Sequence, residues 1–275
     1  MNKKVGIQGI KGSFHHLVVM DYYPNEVDVV EHMSFHELAE KLASKETVEA
    51  VMAIENSIAG SILPNYALIN EYNLSVIGEH YTPVNMNLMA VEGQEIKDIK
   101  KVFSHPMALL QCKEFFKKHP HIKLIEDADT AEAAKRISEE GKLKVAAVAS
   151  PAAASMYGLE ILAREIHTIK SNATRFLVLG TEMQKPNGET LDKASLKFDL
   201  NSDRGSLVSV LNILRDSYLD MTKIQSLPII DEPWKYSFFV DVTFEKIQDF
   251  EKAIDVLKIM TEDLKILGIY KNKLS

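Results

Sequence analysis

Five junctions in this chain set a polar cluster at the end of a strand-like run, where an anion could be held or a proton moved. The first is Gly6-x-x-Gly9-x-x-Gly12-Ser13. It follows an apolar strand and opens a helix, and it matches neither a dinucleotide fingerprint nor a Walker-type phosphate loop. Its glycines allow a tight turn, and Ser13 either caps the helix or binds an anion. The second, Glu55-Asn56-Ser57-x-x-Gly60, puts three hydrogen-bonding side chains in a row. That is more than a turn needs, although Asn and Ser also favour turns for local reasons. The third is Ser104-His105-Pro106. With Pro106 at the first helical position, His105 becomes the cap, and Gln111 follows on that helix. The fourth, Asp129-Thr130-Ala131-Glu132, is a capping-box pattern. The fifth is Asn172-Ala173-Thr174-Arg175-Phe176, in which Arg175, one of five arginines, enters an otherwise apolar strand. A buried guanidinium needs an anionic partner: either an internal carboxylate or a bound carboxylate or phosphate, which it matches bidentately. In a regular strand Thr174 and Arg175 point to opposite faces, so both line one cleft only if the strand starts irregularly.

Other chemistries find no support. There is no G-x-S-x-G elbow and no HExxH. His32 and His36 have helical spacing, but Ser34 stands where the helix should begin, so no metal pair is expected. Cys112 falls within an amphipathic helix and reads as core.

The elements that position these junctions follow from the apolar pattern. Lys4–Gln8, Glu26–Val30, Glu49–Ile54 and Leu74–Gly78 read as strands, alternating with helices over Phe14–Tyr23, Phe35–Ala43 and Ser61–Tyr72. From about Tyr81 the pattern restarts, with strands over Asn85–Val91, Lys101–Phe103, Ile122–Glu126 and Lys144–Ala149. Helices there are read over Pro106–Lys118, Ala131–Glu140 and Pro151–Tyr157, and Arg175–Gly180 is a last strand. Such alternation predicts mostly parallel sheets in two α/β lobes around a cleft. Lys185–Glu189 has linker chemistry. Beyond it, strands over Ala194–Leu200, Met221–Leu227, Ser237–Phe244 and Ile266–Tyr270 and helices over Ser206–Tyr218 and Ile247–Leu264 give the order βαββαβ, a split-βαβ module.

Composition bounds the function. The 275 residues suit roughly two domains. With 46% hydrophobic and 26% charged residues the chain is an ordinary globular one, not a disordered one. A net charge of −7 argues against a nucleic-acid partner. One cysteine permits no internal disulfide, no signal peptide is visible, and the least polar run is too short to span a bilayer. The expectation is a cytoplasmic protein with no membrane partner.

Taken together and in this order, Glu55-Asn56-Ser57-x-x-Gly60, Ser104-His105-Pro106-x-Ala108-Leu109-x-Gln111-Cys112, Asp129-Thr130-Ala131 and Asn172-x-Thr174-Arg175-Phe176 resemble prephenate dehydratase with a C-terminal ACT domain. The resemblance covers nearly the whole chain. It implies an α/β fold: a two-lobed, periplasmic-binding-protein-like catalytic domain over residues 1–184, plus a βαββαβ ferredoxin-like ACT regulatory domain over 193–275. The lobes would be about 1–80 with 172–184, and 81–171. The implied reaction is decarboxylating dehydration of prephenate to phenylpyruvate in phenylalanine biosynthesis, a lyase reaction without cofactor or metal. It further implies Thr174 as proton or hydrogen-bond donor, with Arg175 holding a carboxylate or bracing the strand. Ser13, Glu55, Asn56, Ser57, Gly60, Ser104, His105, Gln111, Thr130, Asn172 and Phe176 would form the substrate site. Glu55 is odd beside a dianion, and is either structural or protonated there.

In the C-terminal module the family's Gly-Ala-Leu-x-x-x-Leu motif appears as Gly205-Ser206-Leu207-x-x-x-Leu211, and its Glu-Ser-Arg-Pro motif as Gln225-Ser226-Leu227-Pro228. An Asn usually found five residues before that Glu is Asp220. The resemblance implies L-phenylalanine as effector, bound between subunits of a homodimer or homotetramer at Gly205, Ser206, Leu207, Asp220, Gln225 and Ser226. The changes at Gln225 and Leu227 put the regulatory response in question. Three other readings stay open: arogenate dehydratase, with Glu55 accepting the substrate amine, a non-catalytic binding protein for a small anion, and an amino-acid sensor in which the ACT module dominates.

Overall fold

The computed structural model describes residues 2–183, 191–201, 203–230, 232 and 234–274, so the expected linker Lys185–Glu189 lies outside the described residues. The chain begins with β1 (Lys4–Gln8), α1 (Phe14–Tyr22), β2 (Asp28–His32), α2 (Phe35–Ala43), β3 (Glu49–Asn56), β4 (Gly60–Ser61), α3 (Leu63–Glu71) and β5 (Ser75–Pro83). Side-chain caps start the first two helices: Ser13 Oγ accepts from the His16 amide, and Ser34 Oγ from Glu37. The second lobe holds β6 (Asn87–Ala90), β7 (Lys101–Ser104), α4 (Pro106–Gln111), α5 (Lys113–Lys117), β8 (Lys123–Glu126), α6 (Thr130–Glu139), β9 (Val145–Ala149), α7 (Pro151–Tyr157) and β10 (Glu160–Ala163). The chain then returns to the first sheet as β11 (Ala173–Gly180).

The first sheet has the order β2-β1-β3-β11-β5, with β4 paired to β3, and the second has the order β10-β6-β9-β7-β8. The two passages between lobes lie side by side: Ala173 pairs with Pro83, and the Val84 amide donates to the Asn172 carbonyl at 2.9 Å. Beyond residue 190 come β12 (Lys193–Leu200), α8 (Ser206–Asp216), β13 (Asp220–Pro228), β14 (Tyr236–Thr243), α9 (Ile247–Met260) and β15 (Glu262–Tyr270). Their antiparallel order β13-β14-β12-β15 is ferredoxin-like. Its core sets Leu196, Phe198, Val240 and Val242 against Val210, Leu214, Phe250 and Leu257 of the two helices. The expected fold class is therefore the observed one, but the lobe sheets are mixed rather than mostly parallel. β11 runs antiparallel to β3 and β5, and β6 antiparallel to β9 and β10, because the chain enters the second lobe at β6 and re-enters the first at β11 against the strands already there.

Four local expectations differ. The helix read over Pro106–Lys118 is two helices, because the Gln111 carbonyl leaves the ladder to accept from the Thr168 amide at 2.8 Å. The last helix ends at Met260 rather than Leu264: Thr261 Oγ1 bonds the Leu257 carbonyl, and Glu262 already pairs with Asp199. The strand read as ending at Gly78 continues to Pro83, since β11 supplies ladder partners along that whole length. Edge strand β10, too short and mixed to read, pairs with β6.

Candidate active site

Between the two lobes lies a cavity of about 320 Å³. Four of its walls are strand ends, three of them followed directly by helices. Ser13 comes from the β1–α1 junction, Asn56 from the end of β3, His105 from the β7–α4 junction, and Asp129 with Thr130 from the start of α6. Strand carboxyl ends and helix N-termini leave free N–H groups there, which suits an anion. Asp129 Oδ1 caps α6 by accepting from Ala131 and Glu132, and His105 Nδ1 accepts from the Met107 amide. Phe14, Phe35, Ile62, Val84, Met86 and Phe176 make the rest of the wall apolar. Among the described residues no lysine or arginine lines this cavity.

The floor is set by one irregularity. β11 pairs with β3 as Thr174↔Asn56, Arg175↔Glu55 and Phe176↔Ala53, so Ile54 is skipped. This bulge puts Ile54 and Glu55 together on the far side and turns Asn56 and Ala53 to the cavity beside Thr174 and Phe176. Strand β11 itself alternates regularly, so Thr174 faces the cavity and Arg175 does not.

A chain of amides fixes the polarity of the Thr174 hydroxyl. Asn56 Oδ1 accepts from the Ile58 and Ala59 backbone amides at 3.0 and 2.9 Å, which fixes Nδ2 as its donor end. That nitrogen reaches Thr174 Oγ1 at 3.0 Å and Asn172 Oδ1 at 2.8 Å. Because Oγ1 accepts there, its own proton is left to donate. Asn172 Nδ2 in turn donates to Gln111 Oε1 at 3.0 Å, leaving Gln111 Nε2 as a donor. One relay thus runs from the first lobe through β11 to the second.

The structure separates the expected residues. Ser13, Asn56, His105, Gln111, Thr130, Thr174 and Phe176 line the cavity. Five others do not line it. Ser104 is fully buried, and its hydroxyl donates to the Val148 carbonyl. Ser57 is tied to the chain before β11, donating to the Ser171 carbonyl and accepting from the Ala173 amide. Gly60, with φ +83°, opens β4 just past the turn and pairs with Asn56. Asn172 stands behind the cavity as the middle of the relay. Glu55, on the far side of the bulge, pairs with Lys223 of β13, so neither a protonated role in the cavity nor amine binding by Glu55 survives.

Arg175 requires the largest correction. Its guanidinium is buried on the opposite face, paired with Glu79 and Asp241 and bonded to the Tyr270 hydroxyl. The anionic partner is internal, and a carboxylate in the cavity is not met by Arg175.

His15 also lines the cavity, and its place in the first turn after Ser13 is the only local signal of it in the sequence. Its Nε2 accepts from the Ala53 amide at 3.3 Å, so the ring proton is on Nδ1. The ring packs edge-on to Phe176 and tilted against Phe35. Burial pushes its pKa down to about 3. Below about pH 6.5 the unfolded chain takes up a proton that native His15 refuses, so stability falls by about 1.4 kcal/mol per pH unit until pH 3. His15→Gln is expected to flatten the fall of the urea midpoint between about pH 6.5 and pH 4. An unchanged slope would show that His15 is not held neutral.

The proposed effector residues sit in the C-terminal module. Gly205, in the left-handed region at φ +89°, begins α8, followed by Ser206 and Leu207. Helix α8 and strand β13 form an antiparallel hairpin, so Gln225 and Ser226 lie roughly abreast of that helix start by the rise per residue of each element. Asp220 is at the other end, on a surface hollow of about 1100 Å³ with Arg215 and Lys246.

A family model described as prephenate dehydratase matches residues 5–184. A bifunctional chorismate mutase/prephenate dehydratase from Enterobacter agglomerans is 31% identical over 274 residues, which is 98% of this chain and 71% of that protein. The arogenate dehydratase/prephenate dehydratase 2 of Arabidopsis thaliana chloroplasts is 36% identical over 281 residues, covering 97% of this chain and 72% of the relative. A solved prephenate dehydratase from Arthrobacter aurescens in complex with L-Phe superposes with TM-score 0.89 at 23% identity, covering 98% of this chain and 90% of that one. With its first lobe, its second lobe and the returning strand all inside the matched span, this chain belongs to the prephenate dehydratase family.

Proposed function

We propose that residues 1–184 form the catalytic domain and convert prephenate to phenylpyruvate, and that the observation carrying this reading is the Thr174 hydroxyl. Asn56 holds its oxygen, so its proton points to donation at the cavity floor. Prephenate loses its ring carboxylate as carbon dioxide. The electron pair of the broken C–C bond enters the ring, and the ring hydroxyl leaves as water after gaining a proton. Aromatisation supplies the driving force, so the protein need only orient the ring and help the hydroxyl depart. A threonine hydroxyl is a weak acid, and Thr174 acts as a placed donor to the departing oxygen, the proton being replaced from solvent. The N-termini of α1 and α6, the Ser13 and Thr130 hydroxyls and Gln111 Nε2 meet the carboxylates in place of a guanidinium. His105 and Phe176 pack the ring. No cofactor or metal takes part in this scheme.

A coupled assay supplying prephenate and then arogenate tests the reading. Release of phenylpyruvate supports it, turnover of arogenate alone replaces it with arogenate dehydratase, and no turnover of either leaves a binding protein. Arogenate stays in view because Asp129, the carboxylate on the cavity wall, uses only Oδ1 for capping, and because one relative carries both names.

The amide relay gives a further expected outcome. Asn172→Asp keeps the shape but offers Gln111 Oε1 no N–H, so Gln111 turns and presents an oxygen to the substrate. KM for prephenate should rise about ten- to a hundredfold, the value of a hydrogen bond to a charged group, with kcat changed less. Steady-state kinetics read this, and an unaltered KM would show that the amide order is irrelevant.

Residues 193–275 are assigned as an ACT regulatory domain that binds L-phenylalanine. Support comes from the βαββαβ order, the Gly205–Ser206–Leu207 helix start, and the edge strand β13, none of whose side chains is fully buried. The distance of Asp220 from Gly205 within one chain favours a site shared by two subunits, and hence a homodimer or homotetramer. Titration calorimetry with millimolar phenylalanine should show binding, and a flat trace would remove this assignment. No helix among the described residues is long and apolar enough to cross a membrane.

A further inference from the structure

Behind Thr174 the first sheet and the C-terminal sheet share one buried polar cluster. Arg175 of β11 and Glu79 of β5 come from the first sheet, and Lys193, Ser195, Asp241 and Tyr270 from the third. All six are at most 6% exposed. Charge balances within the cluster: two cations, Arg175 and Lys193, against two carboxylates, Glu79 and Asp241. Arg175 Nε donates to Glu79 Oε2 at 2.8 Å, and Lys193 Nζ reaches both oxygens of Glu79 at 3.0 and 2.9 Å.

The donors and acceptors close into a ring. Arg175 Nη2 donates to the Tyr270 hydroxyl at 3.0 Å, and Arg175 Nη1 to Asp241 Oδ2. Ser195 Oγ donates to Asp241 Oδ1 at 2.5 Å, so the Tyr270 proton goes to Ser195 Oγ at 2.7 Å. Burial, with Asp241 nearby, pushes the Tyr270 pKa up and keeps that proton in place. Tight backbone packing backs the ring: a Cβ added at Gly268 of β15 would meet the Val76 carbonyl oxygen of β5. Arg175 is the residue after Thr174 and lies opposite Glu55 at the bulge that aims Asn56.

We propose that Arg175, Asp241 and Tyr270 are positioning residues for the dehydration, by which the C-terminal sheet holds the start of β11 and so the direction of the Thr174 hydroxyl. None of the three lines the cavity, and they act only through Thr174. The C-terminal sheet is then a working part of the catalytic apparatus. This rests on the reading of Thr174 as donor.

The test uses the full chain. Tyr270→Phe removes one hydroxyl and leaves the ring packed. It is expected to lower kcat for prephenate about tenfold, with KM within about threefold, because a small misplacement of a reacting group is costly while ground-state binding is untouched. Asp241→Asn serves as the second variant should Tyr270→Phe not fold, with folding read by circular dichroism. In a Thr174→Ala background the same change is expected to alter kcat by less than about twofold, since the route through Thr174 is gone. A wild-type kcat in the folded variants, or an equal fall in both backgrounds, overturns the proposal while wild-type turnover stands. Absence of prephenate turnover in the wild type instead overturns the functional reading itself, and this proposal with it.

Discussion

Thr174→Ala is expected to cut kcat for prephenate by about 10²–10³ while leaving KM within a few-fold, the penalty for losing one placed donor at a group that develops charge in the transition state. The size follows from the surroundings. Asn56 Nδ2 donates to Oγ1, so the hydroxyl keeps its own proton free to offer to the substrate. No described lysine or arginine lines the cavity to take over the task. Thr174→Ser, which keeps the oxygen but adds rotamer freedom, should fall between the two. Steady-state rates of phenylpyruvate formation check the pair. Survival of the alanine variant within a few-fold, with the fold intact, would remove Thr174 from the chemistry.

Glu79→Leu is expected to be the most destabilising single change outside the apolar cores. Glu79 is fully buried and receives Arg175 Nε, Lys193 Nζ and the Lys273 amide. Replacing it leaves two buried cations facing Asp241 alone. Breaking a buried pair costs about 3–5 kcal/mol, which is a large part of the roughly 5–15 kcal/mol that a domain has in total. A fall of roughly 6–20 °C in the midpoint of thermal unfolding is the readout. A double replacement, Glu79→Leu with Lys193→Met, should recover much of the loss because the charge balances again. A single variant that melts with the wild type would show that the cluster is better hydrated than its burial indicates.

Much of this architecture is legible in the sequence because it rests on local rules. Ser13, Ser34 and Asp129 cap helices where the pattern of polar and apolar residues places them, and the Val-Ala-Ala-Val-Ala run makes a buried strand. What is not legible is sidedness. An arginine in an apolar strand announces a buried cation, but Asp241, 66 residues away, and Glu79, 96 residues away, decide which side of the sheet it takes. The same distance effect hides Glu55, which the bulge sets on the far side and Lys223 of the third sheet, 168 residues away, holds there. His15 escapes notice for a different reason. Its role depends on desolvation between Phe35 and Phe176, and no property of the neighbouring residues reports that. The bulge at Ile54 is equally silent, since Ala50–Ile54 is an unbroken apolar run with no alternation for it to interrupt.

The two passages between the lobes, bonded to each other at Val84–Asn172 and paired at Pro83–Ala173, behave as a flexure rather than as two separate tethers. A two-stranded ribbon bends and twists easily but resists sliding along its length, because sliding breaks its ladder. Such a ribbon favours rotation of one lobe against the other over sliding. Thr174 sits one residue from that pivot, where the displacement is smallest. The lobes are joined again beside Ser13, where Ser150 and Tyr157, at the two ends of α7, donate to the Gly12 and Lys11 carbonyls, so the walls around the Thr174 hydroxyl are tied together at two places.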